Sequence, residues 1–333
     1  MEIRRSRSED LSVILALYGS ARDFMRKSGN MTQWEGIDAP ETRAAADIAE
    51  GRSFVCCEGD EILAVFAFEP EADDPTYREI TDGAWPDDGP YGVLHRIAVG
   101  APGRDVAGFC LDWCAARCRQ LRADTHESNL AMQRALKKNG FRRCGIIRVS
   151  DGSERIAFAR PATVWIPQDE KRRRKLIWIC GALYALALLL ALVLIGDILR
   201  ATGTGLLWLV PVTILIALPG VLTIAPRLRS GGGVGVGPDG LDHHLAEPAL
   251  HGTFPWSDFC SAAFDRRQRE LELELRDPDA FFDALPKRTR RTLRQRRIRS
   301  NVLPLPCLLL TKPDRLRLAR LVCNYLDVNN KLK

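Results

Sequence analysis

No C-x-x-C pair occurs among the ten cysteines of this 333-residue chain, so a paired-cysteine zinc site has no starting point. Cys56 and Cys57 are adjacent, and Cys110, Cys114 and Cys118 recur every fourth residue. The second set marks one face of a helix, where cysteine packs as a small hydrophobe, and no metal is expected. No cleavable signal peptide opens the sequence, which makes a reducing cytosol the expected setting. Charge is missing altogether from two stretches of 21 residues each, Leu176–Gly196 and Gly205–Ala225. A buried soluble helix of that length needs a polar face. About 20 apolar residues span a bilayer core, so both stretches are expected to be transmembrane helices.

The hairpin they form divides the chain. Residues 1–165 carry 22 Lys/Arg against 26 Asp/Glu, and 227–333 carry 20 against 13. Lys171-Arg-Arg-Arg-Lys175 abuts the first stretch and Arg227 and Arg229 follow the second, while the eight-residue connection holds only Asp197 and Arg200. The positive-inside rule then places both termini in the cytoplasm, at the inner membrane. Pro211 and Pro219 are expected to kink the second helix. The expected divisions are 1–162, a basic linker 163–175, helices 176–196 and 205–225, and a second cytoplasmic domain 230–333.

In the first domain, residues 91–119 carry the strongest signal. An apolar run from Val93 to Val99, interrupted by His95 and Arg96, leads into Gly103-Arg-Asp-Val-Ala-Gly108, and a helical pattern begins at Phe109. A strand feeding a loop that opens a helix aims unpaired N–H groups at one point, a ready phosphate site. In this loop no Gly-Lys-Ser/Thr follows, so it is not a Walker A loop. Its two glycines stand five apart, so it is not G-x-G-x-x-G. Further on, Leu121–Asn129 reads as a strand ending in a polar turn, and 129–141 as a helix stopped by Gly140, with a strand over Arg142–Val149.

The glycine turn, Asn129 opening a helix, and Gly140-Phe141 closing it together resemble the GCN5-related N-acetyltransferase (GNAT) family over roughly residues 2–160. The resemblance implies an α+β fold, a mixed sheet flanked by helices, with acetyl-CoA as co-substrate and an amine as acceptor. It implies that Ile97, Ala98 and Val99 splay from the neighbouring strand and pair with the pantetheine arm. Gly103, Arg104, Asp105, Val106, Ala107 and Gly108 would take the pyrophosphate through backbone N–H groups, and Asn129 would sit beside the arm. Asp105 is an odd acidic neighbour for a phosphate. The tyrosine that many members use as general acid, about four residues before Gly-Phe, is replaced here by Leu136.

For the base, the candidates are His95 on the central strand, read as sharing a face with Ile97, and Glu69 at the end of the strand Ile62–Phe68. An unperturbed imidazole titrates near pH ~6.5, which suits it to take an ammonium proton through water. His126 and Glu127 are outside candidates that could instead cap the helix, and a reaction with no dedicated base stays open. Gln33 and Trp34 are placed on the acceptor wall. The acids of Glu69–Asp74 and Trp85–Asp88 would favour a cationic amine.

Beyond the hairpin, strand-like patterns cover His251–Trp256, Phe259–Phe264 and Glu270–Arg276, and Leu316–Asp327 reads as a closing amphipathic helix. Gly237-Pro-Asp-Gly-Leu241, Pro255-Trp-Ser-Asp258 and Leu271–Pro278 are similar to the small PH-like domains of bacterial two-helix membrane proteins. The run Lys287–Arg299 packs eight basic residues into thirteen without interleaved aromatics. Anionic lipid headgroups are therefore a nearer partner than nucleic acid, beside a plain solvated helix face. Three classes follow: a membrane-tethered acetyltransferase, a non-catalytic acyl-CoA sensor, and a membrane-associated adaptor.

Overall fold

The computed structural model describes residues 1–35, 39–100, 103–161, 163–202, 231–245, 251–265, 267, 270–285, 287, 290 and 301–331. The backbone divides into two units, Met1–Val164 with Cys323–Lys333, and Trp165–Val322.

The first unit is built on β1 (Glu2–Arg5), β2 (Ser53–Glu58), β3 (Glu61–Glu69), β4 (Gly92–Val99), β5 (Leu121–Thr125), β6 (Arg142–Arg148) and β7 (Glu154–Arg160). They form one mixed sheet in the order β1-β2-β3-β4-β5-β7-β6. β4 and β5 run parallel and the other neighbours antiparallel. β3 is apolar from Ile62 to Phe68 rather than alternating, because both of its faces are covered. On one face lie α1 (Leu11–Lys27) and α2 (Pro40–Ala49), whose Ile14, Tyr18 and Ala44 pack on Val55, Val65 and Ala98. On the other lie α3 (Val106–Ala115) and α4 (Leu130–Lys138), whose Cys110, Leu111, Cys114 and Leu136 pack on Phe66, Leu94 and Phe158. The cysteine stripe is thus core. An α+β domain with a mixed sheet between helices is what the sequence led us to expect.

Local chemistry sets the ends of α4. The Asn129 side chain accepts from the Met132 N–H at 3.1 Å, satisfying one of the donors a helix start leaves over. At the other end Gly140 takes a φ of 89°, and the Phe141 N–H returns to the Leu136 carbonyl at 3.1 Å. Leu136 itself is fully buried, so the position where many GNAT enzymes carry a tyrosine belongs here to the core.

In the second unit, α5 runs from Glu170 to Thr202. Within Glu170–Val193 an 18-residue window reaches a mean hydropathy of 2.6, and among the described residues this is the one helix long and apolar enough to cross a membrane. Trp178, Leu183 and Leu189 stand exposed on it. The expected second span, 205–225, lies outside the described residues, as does most of Lys287–Arg299. The stretch 163–175, expected as a linker, holds the strand β8 (Val164–Pro167), and Lys171–Lys175 form the first turns of α5.

β8 belongs to a four-stranded sheet with β9 (Gly233–Gly237), β10 (Gly240–His243) and β11 (Gly252–Phe254), in the order β11-β10-β9-β8. A three-stranded sheet follows, β12 (Phe259–Asp265), β13 (Glu270–Leu275) and β14 (Val302–Pro306). A short helix Pro278–Ala284 and a final helix Lys312–Lys331 complete the elements. β13 shows period two plainly, with Leu271, Leu273 and Leu275 buried and the intervening glutamates half-buried. Pro238-Asp239 turns β9 into β10. Gly240 is required there: its φ is 151°, and a Cβ would fall 2.3 Å from the Phe254 carbonyl oxygen.

Candidate active site

The regular hydrogen bonding of the first sheet fails at β4. β4 and β5 pair at Gly92↔Leu121 and Val93↔Arg122 and no further, so among the described residues one edge of β4 from Leu94 onward has no strand beside it. Unpaired N–H and C=O groups along a strand edge are a template for another extended chain. On its other edge the register with β3 shifts, because Val65 opposes Ala98 and Ala67 opposes His95. One residue of β3 therefore faces two of β4, a β-bulge at Arg96 and Ile97. Arg96 takes a left-handed φ of 51°, a conformation costing about 1 kcal/mol for a residue with a Cβ. Its guanidinium is fixed by two donations to Oδ2 of the buried Asp47, at 3.1 and 2.7 Å.

The bulge corrects one expectation. It turns Ala98 onto the face of His95, packed with α1, and sends Ile97 to the opposite face with α3. His95 and Ile97 do not share a face, because the inserted residue breaks the alternation.

A cleft of about 1290 Å³ opens along this free edge. Of the residues expected to hold the cofactor, Ile97, Ala98, Val99, Gly103, Asp105, Val106, Ala107, Gly108 and Asn129 line it, and so do His95 and Glu69. The Arg104 side chain does not: it is turned to Glu58, 2.9 Å away. α3 begins at Val106 rather than Phe109, so its first turn lies directly at the cleft. Gly103 with φ 90° and Asp105 with φ 55° make the tight turn into it. The first N–H groups of a helix have no internal partner and sit at the positive end of the dipole. Lys138 Nζ donates to Asp105 Oδ1 at 3.0 Å, which neutralises the acid that made this loop look ill suited to phosphate. A Cβ at Gly108 would fall 2.8 Å from the Asp105 carboxylate oxygens and 2.9 Å from Asn139 Oδ1.

On the face of His95 the cleft is rich in titratable groups, most of them paired. His95 Nε2 lies 3.1 Å from Asp74 Oδ2. The other Asp74 oxygen accepts from the Thr76 N–H at 2.9 Å. Burial alone would raise the Asp74 carboxyl, but the hydrogen bonds from His95 and Thr76 outweigh it and hold it at about 2. Glu69 Oε1 accepts from Arg52 Nη1 at 2.7 Å, so the second candidate base is held by a cation. Tyr77, buried beneath, donates its hydroxyl to Asp124 Oδ1 at 2.6 Å. Burial, then the Asp124 charge, pushes that phenol well above its ordinary value.

His126 and Glu127 fall outside the cleft lining. His126 Nδ1 meets the Ser128 hydroxyl at 2.7 Å and takes the Ser128 N–H at 3.2 Å, holding the turn before α4. Gln33 and Trp34 line the cleft as expected. Gln33 Oε1 accepts from Asn129 Nδ2 at 3.0 Å, and Trp34 meets Tyr18 edge-on at 5.7 Å. Sequence reasoning missed Asp74 as the partner of His95, and it missed Asp124 and Arg155 as cleft residues; nothing in their local patterns marks them. Among the described residues, no group of three His, Cys, Asp or Glu is placed to hold a metal ion.

No protein-family model matches the chain. No curated protein matches it either. Among solved structures it is similar to a GNAT-family acetyltransferase from Streptococcus agalactiae, at 29% identity and a TM-score of 0.45, over 48% of this chain and 94% of that one. It is similar to a ribosomal-protein-alanine N-acetyltransferase from Brucella melitensis, at 16% identity and a TM-score of 0.33, over 48% of this chain and 99% of that one. An aminoglycoside acetyltransferase in complex with coenzyme A and kanamycin is similar at 15% identity and a TM-score of 0.34, over 48% and 93%.

Proposed function

We propose that the first unit is an N-acetyltransferase that uses acetyl-CoA, and that α5 with the apolar stretch 205–225 tethers it to the cytoplasmic membrane face. The observation that carries the reading is the contact between Asp74 and His95, the latter on β4, the strand whose free edge leads to the N-terminus of α3. An acyl-CoA needs those features in that order: an edge for the amides of its pantetheine arm, N–H groups for its pyrophosphate, and a base where the thioester ends. The residues present fit it. Leu94–Val99 offer one strand edge without a described neighbour, the turn Gly103–Gly108 leads directly into α3, and Lys138 cancels Asp105.

With Nε2–H donating to Asp74, His95 keeps its lone pair on Nδ1. An acceptor arriving as ammonium loses one proton by way of Nδ1 to solvent. When bound, acetyl-CoA supplies the acetyl group as a thioester, whose C–S bond breaks as the C–N bond forms. The second amine proton leaves on the departing sulfur. The Asp74 carboxylate keeps the imidazole oriented. Glu69, paired with Arg52, is the weaker candidate base.

The tether is supported by connectivity. β8, before α5, and β9, after residue 230, are neighbours in one sheet. α5 is about 50 Å long at 1.5 Å per residue. A chain that leaves that sheet along α5 must return to it, and 205–225 is long enough to cross back. Residues 230–333 are read as a PH-like domain, with the basic run Lys287–Arg299 as a contact for anionic headgroups.

A second reading, a non-catalytic acyl-CoA sensor, is favoured by one observation: among the described residues no tyrosine lines the cleft. Full-length protein in detergent, given acetyl-CoA and a panel of amines, separates the two. Thiol release matched by acetylated amine supports the enzyme; tight coenzyme A binding with no release on any amine supports the sensor.

A further inference from the structure

The acids of the cleft were expected to select a cationic acceptor. Each of those on the His95 face is already satisfied: Glu69 by Arg52, Asp74 by His95 and Asp124 by the Tyr77 hydroxyl. Most of the cleft cations are paired as well. Arg96 is committed to Asp47, Arg52 to Glu69 and Lys138 to Asp105. Arg155 differs. It lines the cleft and is 8% exposed, yet its hydrogen bonds run from one nitrogen, Nη1, to the Ser153 hydroxyl at 2.6 Å and to the Glu154 carbonyl at 3.2 Å. The neighbouring Glu154 carboxylate is turned to Arg148. No carboxylate among the described residues pairs with Arg155. Arg43, the other cleft arginine without such a partner, stands exposed on α2.

Registers place Arg155 on the acceptor side. Glu69 opposes Val93, Val93 opposes Arg122, Asp124 opposes Ala157, and Ile147 opposes Arg155. With side chains alternating along each strand, Glu69, His95, Asp124 and Arg155 share one face of the sheet. Ile97 and α3, the expected cofactor wall, pack on the other. A guanidinium buried to this degree without a counter-ion is costly unless a ligand supplies one. Its charge also reaches His126, which burial first and then Arg155 hold below the ordinary imidazole value.

We propose that Arg155 is an anion seat for the acceptor, so that the enzyme acetylates an amine carrying a carboxylate, of the α-amino-acid type. The inference rests on the acetyltransferase reading. The carboxylate takes the planar fork of Arg155 while the amine is presented to His95; a bidentate pair of this kind fixes orientation as well as affinity.

The test uses full-length protein in detergent and matched pairs of amino acid and decarboxylated amine, such as lysine with cadaverine and phenylalanine with phenethylamine. Binding is measured calorimetrically with coenzyme A present, and thiol release from acetyl-CoA is followed on the same pairs. Wild type is expected to prefer the acid of at least one pair. R155Q is expected to lower the acid-to-amine ratio roughly ten- to a hundredfold, the worth of a charge-assisted pair, and R155K to keep part of it. Because both ligands of a pair meet the same variant, loss of folded protein cancels. A wild-type preference for the decarboxylated amine throughout, no binding of any acid, or an unchanged ratio in R155Q overturns the seat. Arg155-dependent binding of an acid without thiol release on any amine upholds the seat and overturns the acetyltransferase reading.

Discussion

Asp74 and His95 are in direct contact, Nε2 lying 3.1 Å from Oδ2. The hydrogen bonds from His95 and Thr76 hold the carboxyl at about 2 against an ordinary value of 3.8, with 23% of its side chain exposed. A carboxyl lowered in the folded state stabilises the fold above its unfolded value and stops doing so as pH falls through the folded one. Here that window runs from about 4 down to about 2, and the shift is worth about 2 kcal/mol. Asp74→Asn is therefore expected to lower unfolding free energy by about 1–2 kcal/mol at neutral pH, with the difference from wild type closing below pH ~2, read by urea titration across pH. In the same variant the proposed role of Asp74, orienting His95, predicts that kcat falls while the KM for acetyl-CoA holds. Asp74→Glu should restore part of kcat. A parallel loss in both constants, without rescue, would assign Asp74 to folding alone.

At the scale of elements, the site is made by two interruptions of regular structure, the splay of β4 from β5 and the bulge at Arg96. The glycine turn, the Asn129 cap and the Gly140 stop were legible in the sequence because each depends on residues close in the chain. The bulge was not. Alternation read along 93–99 assumes one residue opposes one, and nothing in Leu94-His-Arg-Ile-Ala98 says that β3 will spend one residue against two. The His95–Asp74 contact spans 21 residues and depends on how the loop after β3 folds back, so the acids of 69–74 looked alike. Arg155 sits at the start of a strand that reads as ordinary sheet, and its lack of a carboxylate is a three-dimensional fact. The start of α3 tests the loop directly. Gly108→Ala would drive its methyl group into Asp105 and Asn139, displacing the carboxylate that Lys138 holds over the helix start. Coenzyme A affinity is expected to drop about tenfold, roughly 1.4 kcal/mol, by calorimetry, with the far-ultraviolet spectrum unchanged. Unchanged affinity would remove the turn from the cofactor site.

At the scale of the whole molecule, the apolar stretches and their basic flanks were plain from composition, whereas the place of β8 was not. Val164–Pro167 precedes the helix in sequence and neighbours β9, which follows residue 230, so the apolar segment interrupts a folded sheet rather than linking two beads. The tether predicts that full-length protein stays with the membrane fraction through high salt and alkaline carbonate and is released by detergent. Release by salt alone would reduce the attachment to surface charge. If the tether holds, the acceptor meets the cleft within reach of the bilayer.

The most direct measurement compares wild type with His95→Ala in thiol release from acetyl-CoA, using detergent-solubilised full-length protein and the amine on which wild type is fastest. A positioned general base contributes about 10²–10⁴-fold. The expected result is turnover in wild type and a loss of at least about a hundredfold in kcat for His95→Ala, with coenzyme A still bound as tightly. Equal turnover in the two proteins, or none in wild type on any amine, would contradict it.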